Sequence, residues 1–155
     1  MISVQTKDFE VGPEYALLRI AAGDAGAIVT FTGLVRELYA SDVTDKIQSL
    51  TLEHYPGMTE KCLADIENQA MQRWQLLSTR IIHRVGQLHA GDHIVFVGTA
   101  SMHRQHAFEA AQFMMDYLKS NAPFWKKQCT QTESHWVDAR STDLEAIARW
   151  KRKES

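Results

Sequence analysis

The sequence predicts an α+β fold with two main amphipathic helices and a mixed or antiparallel sheet. Three observations carry this. Short β-branched and aromatic runs are separated by polar turns, and two longer segments repeat apolar residues at the helical period. Strands and helices also follow one another without the regular alternation of a parallel sheet.

Taken in order, Ile28-Val29-Thr30-Phe31-Thr32 between Gly26 and Gly33 predicts the first core strand. The polar segment Glu37 to Lys46 predicts a loop, and Ile47 to Tyr55 a second strand that Pro56-Gly57 punctuates. From Thr59 to Trp74, the residues Cys62, Leu63, Ile66, Ala70 and Trp74 mark one helical face and leave Glu60, Glu67, Gln69 and Arg73 for water. Thr79 to Val85 and His93 to Ala100 predict two more strands, and Gly91-Asp92 between them suits an antiparallel hairpin. The continuous run Ile94-Val95-Phe96-Val97 predicts a strand covered on both faces.

The next helix opens near Ser101, a good N-cap residue, and Ala107, Phe108, Ala111, Met114, Met115 and Leu118 form its expected buried stripe. Pro123 forces a break by Asn121-Ala122. Ser134 to Ala139 predicts a last strand, and Thr142-x-x-Glu145 a capping box opening a short terminal helix. No linker, repeat or low-complexity run divides the 155 residues, so 1–155 is expected to be a single domain.

Composition narrows the function. A net charge of -2 gives no global pull toward nucleic acid or anionic membrane, so any anion must be held by a local cluster. Two cysteines cannot frame a disulfide scaffold, no apolar run is long enough to cross a bilayer, and the N-terminus lacks a signal-peptide core. The expected location is cytoplasmic. Phosphate loops, dinucleotide fingerprints, His-Glu-x-x-His and nucleophile-elbow motifs are all absent.

What remains is a set of basic residues at element ends: Arg36, His103-Arg104, Lys119 and Lys126-Lys127. Lys119 near a helix C-terminus suits the macrodipole, whereas Arg104 in a first turn opposes it and calls for an anion nearby. Arg104 and Lys119 are 15 residues apart on one predicted helix, roughly 22 Å along its axis. If both serve one small ligand, they come from two copies of the chain. The expectation is a homodimer whose pocket combines His103 and Arg104 of one subunit with Lys119 and Lys126 of the other.

Several segments resemble one family in order and spacing. They are Gly26 to Arg36, Leu52-Glu53-His54-Tyr55-Pro56-Gly57-Met58, Ile82-His83-Arg84-Val85-Gly86, Gly91-Asp92 and Ser101-Met102-His103-Arg104. Most specific are Met115-Asp116-Tyr117-Leu118-Lys119 and Ala122-Pro123-Phe124-Trp125-Lys126-Lys127. Together, from about Gly26 to Trp150, the chain is similar to the catalytic (large) subunits of molybdopterin synthases.

The resemblance implies an α/β hammerhead-like fold and a central dimer within a heterotetramer. Two small ubiquitin-like sulfur-carrier subunits flank it, each presenting a C-terminal glycine thiocarboxylate. It implies a sulfurtransferase acting on cyclic pyranopterin monophosphate to give molybdopterin, with neither metal nor other cofactor. The family's pocket falls on Leu34, Val35, Arg36, His103, Arg104, Lys119, Lys126, Lys127 and Gln128. Arg36, His103 and Arg104 are expected to grip the phosphate through charge-assisted hydrogen bonds. Lys119 is assigned the proton movements of the chemical step, and Lys126 the neutralisation of phosphate or thiocarboxylate charge. The family usually carries glutamate where this chain has Gln128, which keeps an acceptor but loses the charge.

Rival readings are specific. His103, His106 and Glu109 share one helix face at metal-ligand spacing, but no fourth strong ligand is near in sequence. Cys129 beside two lysines would be the nucleophile of a cysteine sulfurtransferase. A non-enzymatic dimeric scaffold for a ubiquitin-like partner is the alternative from another class.

Overall fold

The computed structural model describes residues 1–36, 49–129, 134–137 and 141–152. Its elements are β1 (Ile2–Gln5), α1 (Val11–Ala22), β2 (Ala27–Leu34), β3 (Ser49–His54), α2 (Met58–Arg73) and β4 (Leu76–Arg84). They continue with β5 (Gly86–Leu88), β6 (His93–Ser101), α3 (Arg104–Asn121), β7 (Phe124–Cys129), β8 (Ser134–Val137) and α4 (Ser141–Arg152). The α+β class is as predicted. The loop expected over 37–46 lies outside the described residues.

One mixed sheet has the order β1-β4-β6-β2, with β1 parallel to β4 and the other pairs antiparallel. Its central strand β6 is covered on both faces, as its apolar run predicted. Val95 and Val97 point into the main core with Leu63, Ile66 and Ala70 of α2 and Phe113, Met114 and Leu118 of α3. Phe96 turns the other way, onto Phe9 and Ile82, while Ala100 meets Leu18 and Ala22 of α1. Gly98 lets α1 come this close, because a Cβ there would lie 2.7 Å from Leu18 Cδ2.

The second sheet, β5-β3-β7-β8, is antiparallel throughout. Leu50, Leu52 and Leu88 form its small core with Val35 and Ile94. It therefore leans on the end of the first sheet where β2 finishes and β6 starts. β4 and β6 do pair antiparallel, but their connection is more than the expected turn: it holds β5, which leaves to pair with β3.

Four elements, β1, α1, β5 and β7, had no sequence-based expectation. In α1, Leu17 and Ile20 are exposed while Leu18 and Ala22 are buried, so apolar residues on both sides blur the helical period. β1 and β7 are short, and β7 reads Phe-Trp-Lys-Lys-Gln-Cys with no apolar alternation. The expected stripe of α3 also needs correction. Ala107, Ala110, Ala111, Phe113, Met114, Tyr117 and Leu118 are buried, Met115 is half-buried, and Phe108 is 62% exposed. Nor is Ser101 the N-cap; it ends β6, and His103 holds the N-cap position without a side-chain cap.

Candidate active site

Strand pairing and helix direction sort the predicted site residues into two groups. In the β2–β6 ladder, Leu34 faces His93 and Ala27 faces Ser101. Arg36 thus follows the end of β2 that lies beside the start of β6, while His103 and Arg104 follow the other end of β6. The nine residues of β6 separate these ends by about 26 Å. Val35 is pinned at the near end, its N–H donating to Asp92 O (2.9 Å) and its carbonyl accepting from Gly91 N–H (2.8 Å).

Helix α3 then runs back over the sheet. Near its start, Thr99 Oγ donates to Ala107 O (2.7 Å). Just past its end, Phe124 stacks on His83 with ring centroids 3.8 Å apart, and His83 is the ladder partner of Val95. Lys119, exposed in the last turn of α3, therefore stands at the same end of the sheet as Arg36. β7 follows directly and pairs with β3, which carries Lys126 to that end as well.

Within one chain, then, Arg36, Lys119 and Lys126 gather at one end, and His103 and Arg104 at the other. Arg36, His103 and Arg104 do not converge on a common phosphate inside a single subunit. Leu34, Arg36, His103, Arg104 and Lys119 are exposed, and Val35, Lys126, Lys127 and Gln128 half-buried.

The register of β7 divides the lysine pair. Lys126 is opposite Leu52 and Gln128 opposite Leu50, so both lie on the inner face with that sheet's apolar core. Lys127 is opposite Thr51 and Trp136 and points outward, its Nζ 5.7 Å from the Trp136 ring centroid. Cys129 shares this outer parity. Period two places neighbouring strand residues on opposite faces, which sequence reading without a strand over 124–129 could not register.

At the α3 N-terminus, the His103 and His106 rings stand 5.9 Å apart and perpendicular. Glu109 accepts from Trp74 Nε1 (2.9 Å) and Gln105 Nε2 (3.3 Å). Among the described residues no three His, Cys, Asp or Glu side chains group as metal ligands, and no helix is long and apolar enough to cross a membrane.

A buried group that the sequence did not single out sits between β4 and β7. His83 is 6% exposed, and its ring nitrogen Nδ1 bonds Arg84 O at 2.8 Å. Burial, reinforced by the nearby His54, pushes its pKa down to about 4, against the opposing hydrogen bond to Arg84. The ring is neutral at physiological pH.

A family model described as MoaE protein matches residues 4–121. The chain belongs to the MoaE protein family. It is 52% identical over 149 residues to the molybdopterin synthase catalytic subunit of Escherichia coli K12, covering 96% of this chain and 97% of that one. A solved structure of the molybdopterin biosynthesis MoaE protein from Burkholderia ambifaria aligns at a TM-score of 0.81 and 47% identity, over 97% of each chain. Molybdopterin synthase from Staphylococcus aureus aligns at a TM-score of 0.77 and 29% identity, over 87% of this chain and 95% of that one. The family model spans both ends of α3, and the likeness to these relatives, over 96% and 97% of the chain, continues through β7.

Proposed function

We propose that the chain is the catalytic component of a cytoplasmic sulfurtransferase that converts cyclic pyranopterin monophosphate to molybdopterin. The sulfur comes from the C-terminal thiocarboxylate of a small ubiquitin-like carrier. Family membership supports this reading, and a relative named a catalytic subunit works with at least one other chain.

The observation that carries the site is the unbroken helix from Arg104 to Asn121, with a cation at each end. One subunit offers Arg36, Lys119 and Lys126 at one end and His103 with Arg104 at the other. Two copies related by a two-fold axis complete each group with the other. Arg104, Phe108, Gln112, Met115 and Lys119 lie within about 80° of one another around α3. Placing this face against its copy, antiparallel near Gln112, brings Arg104 of one subunit beside Lys119 of the other at an interhelical distance of about 8–10 Å. Phe108, exposed at 62%, is the apolar contact for such a pairing.

In that pocket His103 and Arg104 hold the phosphate, Arg36 adds a second guanidinium, and Lys126 offsets thiocarboxylate charge from the inner sheet face. Lys119 moves the proton as sulfur is delivered. Purified chain, thiocarboxylated carrier and pterin precursor test the function directly. Formation of the dithiolene product is the expected result. Tight carrier binding without turnover would instead leave a scaffold.

A further inference from the structure

Lys119 and Lys126 belong to different elements, and only Ala122-Pro123 separates the end of α3 from the start of β7. Their relative position therefore depends on that two-residue connection as well as on the pairing of β7 with β3. Three contacts converge there. Thr59, fully buried in the first turn of α2, donates its hydroxyl hydrogen to Pro123 O at 3.1 Å. Thr59 Oγ1 in turn accepts from Tyr55 N–H at 3.1 Å, while Thr59 N–H donates to Tyr55 O at 2.9 Å. Phe124 N–H closes onto Ala122 O at 2.9 Å, making the connection a tight turn.

The third contact is the His83–Phe124 stack, 3.8 Å between centroids at 19° between planes. The bond from its Nδ1 to Arg84 O holds the imidazole at a set angle, so the face it offers Phe124 is fixed. A hydroxyl has one hydrogen to donate, and Thr59 spends it on Pro123. The β3–α2 junction, strand β4 and the α3–β7 connection are thereby tied together at one point.

We infer that Thr59 and His83 are positioning residues for catalysis: through Pro123 and Phe124 they hold the α3–β7 turn and so set Lys119 against Lys126. Neither reaches substrate. The inference rests on the reading of those two lysines as the working groups. Reacting groups must be held near productive geometry, and a displacement of about 1 Å can cost on the order of 100-fold in rate. Binding of carrier and pterin also draws on groups away from this turn, Arg36 of the same subunit and His103 and Arg104 of its copy, so KM is expected to change less than kcat.

The test uses the full chain with thiocarboxylated carrier and pterin precursor, well below the unfolding temperature of every variant. Thr59→Val keeps the shape and removes both hydrogen bonds; Thr59→Ser restores the hydroxyl. Phe124→Leu removes the ring from the stack. Thr59→Val and Phe124→Leu are expected to lower kcat by about 10- to 100-fold while KM for both substrates stays within about twofold. Thr59→Ser should recover most of kcat, a rescue that loss of general stability does not predict. Should Thr59→Val fail to fold, Phe124→Leu decides by itself. A kcat within about twofold of the parent in the folded variants overturns the inference, provided that Lys119→Ala is inactive in the same assay. An active Lys119→Ala would instead sink the lysine assignment and the positioning role with it.

Discussion

Lys126 and Lys127 are neighbours in the chain yet stand on opposite faces of β7, one over Leu52 in the sheet's apolar core and the other beside Trp136. The alternation of a strand makes them chemically unequal. Lys126→Ala is expected to lower kcat by about 100-fold or more, on the scale of removing one preorganised charge from a reacting centre. Lys127→Ala should stay within a few-fold, having lost a cation–π contact on the outer face worth about 0.5–1 kcal/mol. Steady-state kinetics on both variants separate the cases. Equal losses would refute the division by face.

The two ends of α3 make a second prediction. Arg104→Ala and Lys119→Ala chains, each inactive alone, are mixed, unfolded and refolded together. Random pairing makes about half of the dimers mixed, and each mixed dimer holds one site with both residues intact. Activity should return to about a quarter of the parental value per chain. No recovery, with mixed dimers shown to be present by mass spectrometry, would mean that the residues do not share a pocket across subunits.

Acid stability should carry the signature of His83. Unfolded, the imidazole titrates near its ordinary value of 6.5; folded, burial holds it at about 4. Between those values the unfolded chain binds the proton and the native chain does not, so stability falls as pH drops from about 6.5 toward 4 and is insensitive to this group above that window. The full effect is on the order of 3 kcal/mol. His83→Phe, which keeps a ring against Phe124, should flatten that part of the profile in urea unfolding followed across pH. An unchanged slope would assign the acid sensitivity elsewhere.

Gly26 gives a prediction about backbone approach. A Cβ at this position would collide with the Met102 carbonyl oxygen, one residue before His103. Backbone has no rotamer to yield with, so Gly26→Ala should destabilise the fold by about 1–3 kcal/mol and displace the start of α3. Chemical denaturation measures the first effect. A raised KM for the pterin substrate reports the second, through His103 and Arg104.

Local signals made much of this molecule legible. The apolar run Ile94–Val97 announced a strand covered on both faces, the 3.6-residue repeat announced α2, and Pro123 announced the end of α3. Those inferences rest on side-chain burial periodicity and on backbone sterics, both of which act over a few residues. Elements whose apolar residues point both ways, such as α1 with Leu17 and Leu18, gave no period to read. Phe108 was misplaced because a helical stripe gives only an angle, and whether anything packs at that angle depends on another element.

Residue order alone carries the class of fold, the presence of cations at element ends, and the 15-residue spacing that keeps Arg104 and Lys119 apart. Which cations share an end follows from strand pairing: the antiparallel ladder between β2 and β6 puts Arg36 with Lys119, and the register of β3 on β7 turns Lys126 inward and Lys127 out. Strand pairing joins residues far apart in the chain and shifts every side chain to the other face with a one-residue slip. No local pattern contains that choice.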